Sequence, residues 1–246
     1  ARFKSLVGLN LAVCEQVDDQ ALEPLQSAEG LRVLVVTGTR IGPAGLFHIS
    51  ELPDLVALDL EVCDNVSDSA CDVLARMTNI RALNLKKTAF EKNRISAAGL
   101  KQLAGLQKLE LLNLYAESIN DEALKELAPL VNLRELDLSL TSVSDAGLRY
   151  LTALKKLSSL TLLYSEGFAG PKITNVGLKP LSEMTQLRTL NLVGAKIDDT
   201  GVDDLMRLRN LKRLILVGSQ LSSDGLKRLQ VALPDCEISA DYPLRK

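Results

Sequence analysis

The chain has 246 residues, with 29 lysines and arginines against 31 acids and a net charge of −2. That balance gives no support for nucleic acid or an anionic membrane as partner, and no apolar run approaches the ~20 residues a membrane-spanning helix needs. Apolar residues make up 46% but aromatics only 3%, with no tryptophan, which suits a core of stacked leucines better than a ring-filled enzyme core.

Residues 1–5 read as the tail of a preceding repeat or cap. Phe3 stands three residues before Leu6, the offset held by Leu52, Met77, Leu106, Leu130, Leu154, Met184 and Leu208 before later strands. The pattern therefore predicts further chain upstream of Ala1. From Leu6 the phrase Leu-x-x-Leu-x-Leu returns at Leu31, Leu55, Ile80, Leu109, Leu133, Leu157, Leu187 and Leu211, at intervals of 25, 24, 25, 29, 24, 24, 30 and 24 residues. A fixed period of this kind means a stacked array and one domain over residues 1–246, with 233–246 as its C-terminal cap.

The sixth repeat shows the unit. Leu136 and Leu138 are two apart and point to one face of a short strand. Leu148, Leu151 and Leu154 are three apart, one stripe on a helix, with Ser144 placed to cap it and Asp145 in its first turn. One strand–turn–helix unit cannot cover its own apolar faces, so neighbouring coils must close them. Parallel strands then line the inside of an arc, with the wider helices outside.

The pattern resembles the leucine-rich repeat over essentially the whole chain. The stretches "VSDAGLRYLTAL", "ITNVGLKPLSEM" and "IDDTGVDDLMRL", with the ending "LPDCEI" (Leu233 to Ile238), are similar to the bacterial, planctomycete-type subtype written ITDxGLxxLxxLxxL. "VCEQVDDQAL" and "VCDNVSDSAC" look like the cysteine-containing subtype of F-box receptors. The resemblance implies an α/β fold, a right-handed leucine-rich-repeat solenoid with a curved parallel sheet inside, short helices outside and about nine repeats.

The two long intervals place extra residues between strand and helix, Ala89 to Arg94 in the fourth repeat and Glu166 to Lys172 in the seventh. Each carries a phenylalanine, Phe90 and Phe168. Three repeats at ~4.8 Å separate them by ~15 Å, near enough to flank one ligand. The alternative is that each loop merely tolerates length and its phenylalanine lies on its own repeat.

Three outward columns describe the concave face. One runs Asn10, Val35, Asp59, Asn84, Asn113, Asp137, Thr161, Asn191, Ile215, and the next Ala12, Thr37, Glu61, Lys86, Tyr115, Ser139, Leu163, Val193, Val217. The third adds Ala57, Ala82, Leu111, Glu135, Ser159, Thr189 and Arg213. They predict an acidic spot at Asp59 and Glu61 beside Lys86 and Lys87. A mixed middle follows, of Leu111, Tyr115, Leu140, Leu163 and Tyr164 with Glu135 and Asp137, and then an apolar end at Val193, Ile215 and Val217. Anchors such as Tyr115 and Tyr164 in a polar rim suit a protein interface. The plainer reading of the Asn and Asp column is a solvated ladder.

Nothing in the sequence assembles catalysis. His48 is the only histidine and falls on a helix, which leaves no general-base triad and no histidine cluster for a metal. Cys14 and Cys63 share a small-residue turn slot with Thr39, Thr88, Thr141, Ser165 and Ser219. Cys71 replaces a helix leucine, Cys236 sits in the terminal strand, and the spacings match no zinc or disulfide frame. Acid pairs such as Asp18-Asp19 and Asp198-Asp199 fall at helix starts, where the dipole accounts for them. Gly45, Gly99, Gly147, Gly177, Gly201 and Gly225 recur once per repeat and permit close packing there.

The expectation is thus a non-catalytic, cofactor-free protein-recognition scaffold without membrane insertion, monomeric rather than self-associating. The alternative is an adaptor or substrate-receptor segment of a larger protein, such as a ubiquitin-ligase receptor or a bacterial effector.

Overall fold

The computed structural model describes residues 3, 5–87, 94–165 and 170–240. Within them, the period-2 leucines form short parallel strands that pair in chain order in a single sheet. These are β1 (Gly8–Asn10), β2 (Val33–Val35), β3 (Ala57–Asp59), β4 (Ala82–Asn84), β5 (Leu111–Asn113), β6 (Glu135–Asp137), β7 (Ser159–Thr161), β8 (Thr189–Asn191), β9 (Arg213–Leu216) and β10 (Glu237–Ala240). Their central residues Leu9, Leu34, Leu58, Leu83, Leu112, Leu136, Leu160, Leu190, Leu214 and Ile238 stand in register. From Leu34 to Leu214 they are at most 2% exposed. Nine repeats thus become ten strands, because the C-terminal cap adds its own, and Cys236 lies just before β10 rather than in it.

The return segments are α1 (Pro43–Ile49), α2 (Asp68–Leu74), α3 (Ala97–Leu103), α4 (Asp145–Leu148), α5 (Asn175–Leu181), α6 (Val202–Leu205) and α7 (Ser223–Ala232). Elsewhere the return is a 3-10 turn, as at Asp19–Ser27, Ala123–Leu127 and Arg149–Ala153. The template repeat is both: α through Leu148, then 3-10 under Leu151. A leucine every third residue eclipses once per turn of a 3-10 helix, and the backbone follows that spacing. Ser144 caps as the sequence implies, its Oγ accepting from the Ala146 N–H at 3.3 Å.

The aspartates do more than complement a dipole. Asp121 accepts from the Ser144 N–H at 2.7 Å and Oγ at 2.6 Å, one coil further on. Asp68 does the same to Ser96 and adds the Gly99 N–H at 3.0 Å. Asp145 bonds Thr174, and Asp199 bonds Ser222, in the same pair of contacts. Each carboxylate therefore staples its helix start to the next one through charge-assisted bonds. This explains the glycine column: a Cβ at Gly147 would lie 2.4 Å from Asp121 Oδ1, and at Gly225 2.1 Å from Asp199 Oδ1. A second ladder runs along the opposite edge, where Asn79, Asn132 and Asn210 donate to Pro53, Gln107 and Thr185 carbonyls at 2.7–2.8 Å.

The turn after each strand is left-handed at one repeat position. Among the described residues Val13, Gly38, Val62, Ala116, Leu140, Gly194 and Gly218 adopt φ between 53° and 80° there. Lys87 and Tyr164 occupy the position in the two long repeats and do not adopt it. Both long repeats therefore depart from the tight turn at that position.

Candidate concave recognition site

The column Asn10, Asp59, Asn84, Asn113, Asp137 and Asn191 is held by its own backbone. Each Oδ1 accepts the N–H two residues on, at 2.8–3.1 Å. This fixes the side chains at the strand ends and turns what reads as a solvated ladder into a set of local turns.

Across coils two to five these side chains join a network. Asp59 Oδ1 also accepts from Thr37 Oγ1 at 3.0 Å and Asn84 Nδ2 at 3.1 Å, and the same Asn84 amide reaches Glu61 Oε2 at 3.2 Å. Lys86 Nζ pairs with Glu61 Oε1 at 2.8 Å and stands 5.2 Å from the centre of the Tyr115 ring. The bond to Glu61 holds the Lys86 ammonium above its ordinary pKa. Burial pushes the Asp137 carboxyl up, against the lowering effects of Ser139 and the Lys86 charge. Asp59, Glu61, Lys86 and Tyr115 are therefore brought together, with Asn84 as the bridge.

Beside this network the sheet is hollowed. A shallow depression of about 310 Å³ is lined by Val33, Val35, Ala57, Ala82 and Leu111 with Asp59, Asn84 and Asn113 at its rim. Ala57 and Ala82 are register partners on adjacent strands, so two missing side chains coincide between Val33 and Leu111. Val33 is 42% exposed. Of these residues only Asp59 and Leu111 are expected as contacts from sequence; the adjacent alanines were the available signal for the rest. Glu135 and Asp137 line a separate, smaller hollow with Leu111, Ser159 and Thr161.

Other expected residues lie elsewhere. Leu140 is buried in the left-handed turn, 7% exposed, and takes no part in the face. Lys87 is also buried, 1% exposed, with its ammonium on the Cys63 carbonyl, so it does not join Lys86 outside. Tyr164 sits at the strand-to-helix edge against Gly170 and Gly194, apart from Tyr115; a Cβ on Gly170 would lie 2.7 Å from its ring. Leu163, Val193, Ile215 and Val217 are half-buried. Phe90 and Phe168 lie outside the described residues.

The Cys14 and Cys63 slot also differs between its ends. Cys63 is buried and its thiol donates to the Val36 carbonyl at 3.1 Å, beside Thr39 Oγ1 on the same oxygen at 2.6 Å. Cys14, in the outermost coil, is exposed. His48 is half-exposed on α1, bonded to Gln26. Among the described residues no group of three or more His, Cys, Asp or Glu is placed to hold a metal ion, and no helix is long and apolar enough to cross a membrane.

A family model described as "Leucine Rich repeat" matches residues 130–151 and 183–206. The chain has the leucine-rich-repeat fold. Its solenoid is similar to that of an internalin (inlF) from Listeria monocytogenes, at 18% identity and TM-score 0.59, over 91% of this chain and 71% of that one. An internalin C2 (inlC2) from the same organism aligns at 20% identity and TM-score 0.56, over 97% and 82%. These likenesses define the leucine-rich-repeat fold. No curated protein matches the sequence.

Proposed function

We propose that this leucine-rich-repeat chain is a non-catalytic recognition scaffold whose concave sheet, at coils two to five, binds a segment of a protein partner. One observation carries the reading. An apolar hollow floored by Ala57 and Ala82 opens directly beside a fixed polar group of Asp59, Glu61, Lys86 and Tyr115. An aliphatic or aromatic anchor entering the hollow gains ~1.5–3 kcal/mol from burial, while the rim sets its orientation. Within the repeat family, the staples between aspartate and the next glycine-bearing turn support assignment to the ITDxGL subtype.

The test is selection of a displayed peptide library on the intact protein. Selected peptides should bind Ala57→Arg, which fills the hollow, at least about tenfold more weakly than wild type. Peptides that compete with one another yet bind Ala57→Arg and Glu61→Ala as well as wild type would overturn the assignment.

A further inference from the structure

Net charge near zero conceals a separation of charge. The residues leading into β6 to β9 form one edge of the solenoid, and the backbone proves their alignment. Ser158 N–H bonds the Arg134 carbonyl, Arg188 N–H the Ser158 carbonyl and Lys212 N–H the Arg188 carbonyl, at 2.7–2.8 Å. Around this row stand Arg134, Lys155, Lys156, Arg188, Arg209, Lys212 and Arg213, all exposed. Glu135 is the acid within the strip. Within the strip, Glu110 at one end, which also pairs with Arg81, reaches only Arg134, and Asp235 with Glu237 at the other end reach only Lys212 and Arg213. Among the described residues no carboxylate pairs with Lys155, Lys156, Arg188 or Arg209.

Helix dipoles do not account for the strip. The return segments Arg149–Ala153 and α6 have no basic residue in their last turn, and these cations stand beyond them, in the run into the strands. Lys156 does bridge coils, donating to Asn132 Oδ1 at 2.6 Å, and Arg134, Lys212 and Arg213 reach acids on the next coil, but among the described residues the side chains of Lys155, Arg188 and Arg209 make no inter-coil bond that would account for them. Clustered, unneutralised cations on a chain of net charge −2 point to an external anion.

We propose that this edge docks an acidic segment of a protein partner. Three coil spacings of ~4.8 Å give a strip of ~14 Å, which an extended run of roughly four or five residues at ~3.3 Å covers. A single-stranded nucleic acid would call for aromatic rings between the cations to stack its bases, and residues 134–135, 155–159, 185–189 and 209–213 contain none. The edge is distinct from the concave hollow, and its test does not depend on that hollow.

A labelled peptide carrying six consecutive glutamates is titrated onto the intact protein at low and high salt. Wild type should bind at low salt and weaken as salt rises. Arg188→Glu with Arg209→Glu should weaken binding at least about tenfold, while Lys172→Glu with Lys196→Glu, on the opposite edge, should leave it unchanged. Circular dichroism checks the fold, and Lys155→Glu with Lys156→Glu is the second variant should the first not fold. The proposal falls if wild type does not bind the peptide, or if both edges respond alike. It also falls if oligothymidine or anionic vesicles bind the strip more tightly than the peptide does.

Discussion

Replacing Gly147 by alanine is the sharpest perturbation of the inter-coil staple. On helix propensity alone it should stabilise α4 by ~1 kcal/mol. The structure predicts the opposite, because the new methyl would lie 2.4 Å from Asp121 Oδ1 and 3.0 Å from Asp121 Cα. The carboxylate must withdraw from the Ser144 N–H and Oγ, now at 2.7 and 2.6 Å. Hydrogen bonds to a charged group are worth ~1.5–3 kcal/mol each, so losing or stretching both outweighs the propensity gain. A net loss of about 2–4 kcal/mol should appear in urea unfolding followed by circular dichroism. Gly105→Ala is the control, since nothing lies within 4 Å of a Cβ there. It should gain ~0.4–1 kcal/mol through the unfolded chain. In an Asp121→Ala background the cost of Gly147→Ala should fall by at least ~1.5 kcal/mol, because the clashing group is gone. Gly147→Ala within ~0.5 kcal/mol of wild type, or an undiminished cost without Asp121, would refute the staple.

Asp137 and the cysteines supply further tests. Burial raises the Asp137 carboxyl above its ordinary 3.8, so its ionised form opposes folding above that raised pKa, and the penalty vanishes as pH falls through it. Asp137→Asn keeps the Oδ1 acceptor for Ser139, as Asn113 does for Tyr115. The variant should therefore be more stable than wild type at neutral pH, with the gap closing on acidification in parallel denaturant titrations; a gap independent of pH counts against the burial argument. Burial and the nearby Asp68 charge push the Cys71 thiol to about 12, and burial also raises Cys63. With a thiol reagent at pH 8, mass mapping should find Cys14 modified first and Cys63 and Cys71 only on unfolding. Early labelling of Cys71 in folded protein would contradict its placement.

The sequence by itself determined the array. A leucine every second residue, then every third, on a nearly constant period leaves one arrangement that covers all the apolar faces. Strand order, the buried column from Leu34 to Leu214 and the capping role of Ser144 follow from it, since each rests on contacts within a repeat or between equivalent positions. What it left open depends on neighbours 22 or more residues away. Gly147 reads as a point of close packing, but that Asp121 is what packs there emerges only when the fold sets them on adjacent coils. Two alanines become a hollow only once β3 and β4 align. Lys87 and Tyr164 occupy a position that reads as outward, yet their repeats lack the tight left-handed turn, and the altered path carries Lys87 inward and Tyr164 to the edge. The cations from Arg134 to Arg213 are scattered among acids along the chain and are sorted onto one edge only by winding, because a solenoid brings together residues that share a phase rather than a place in sequence.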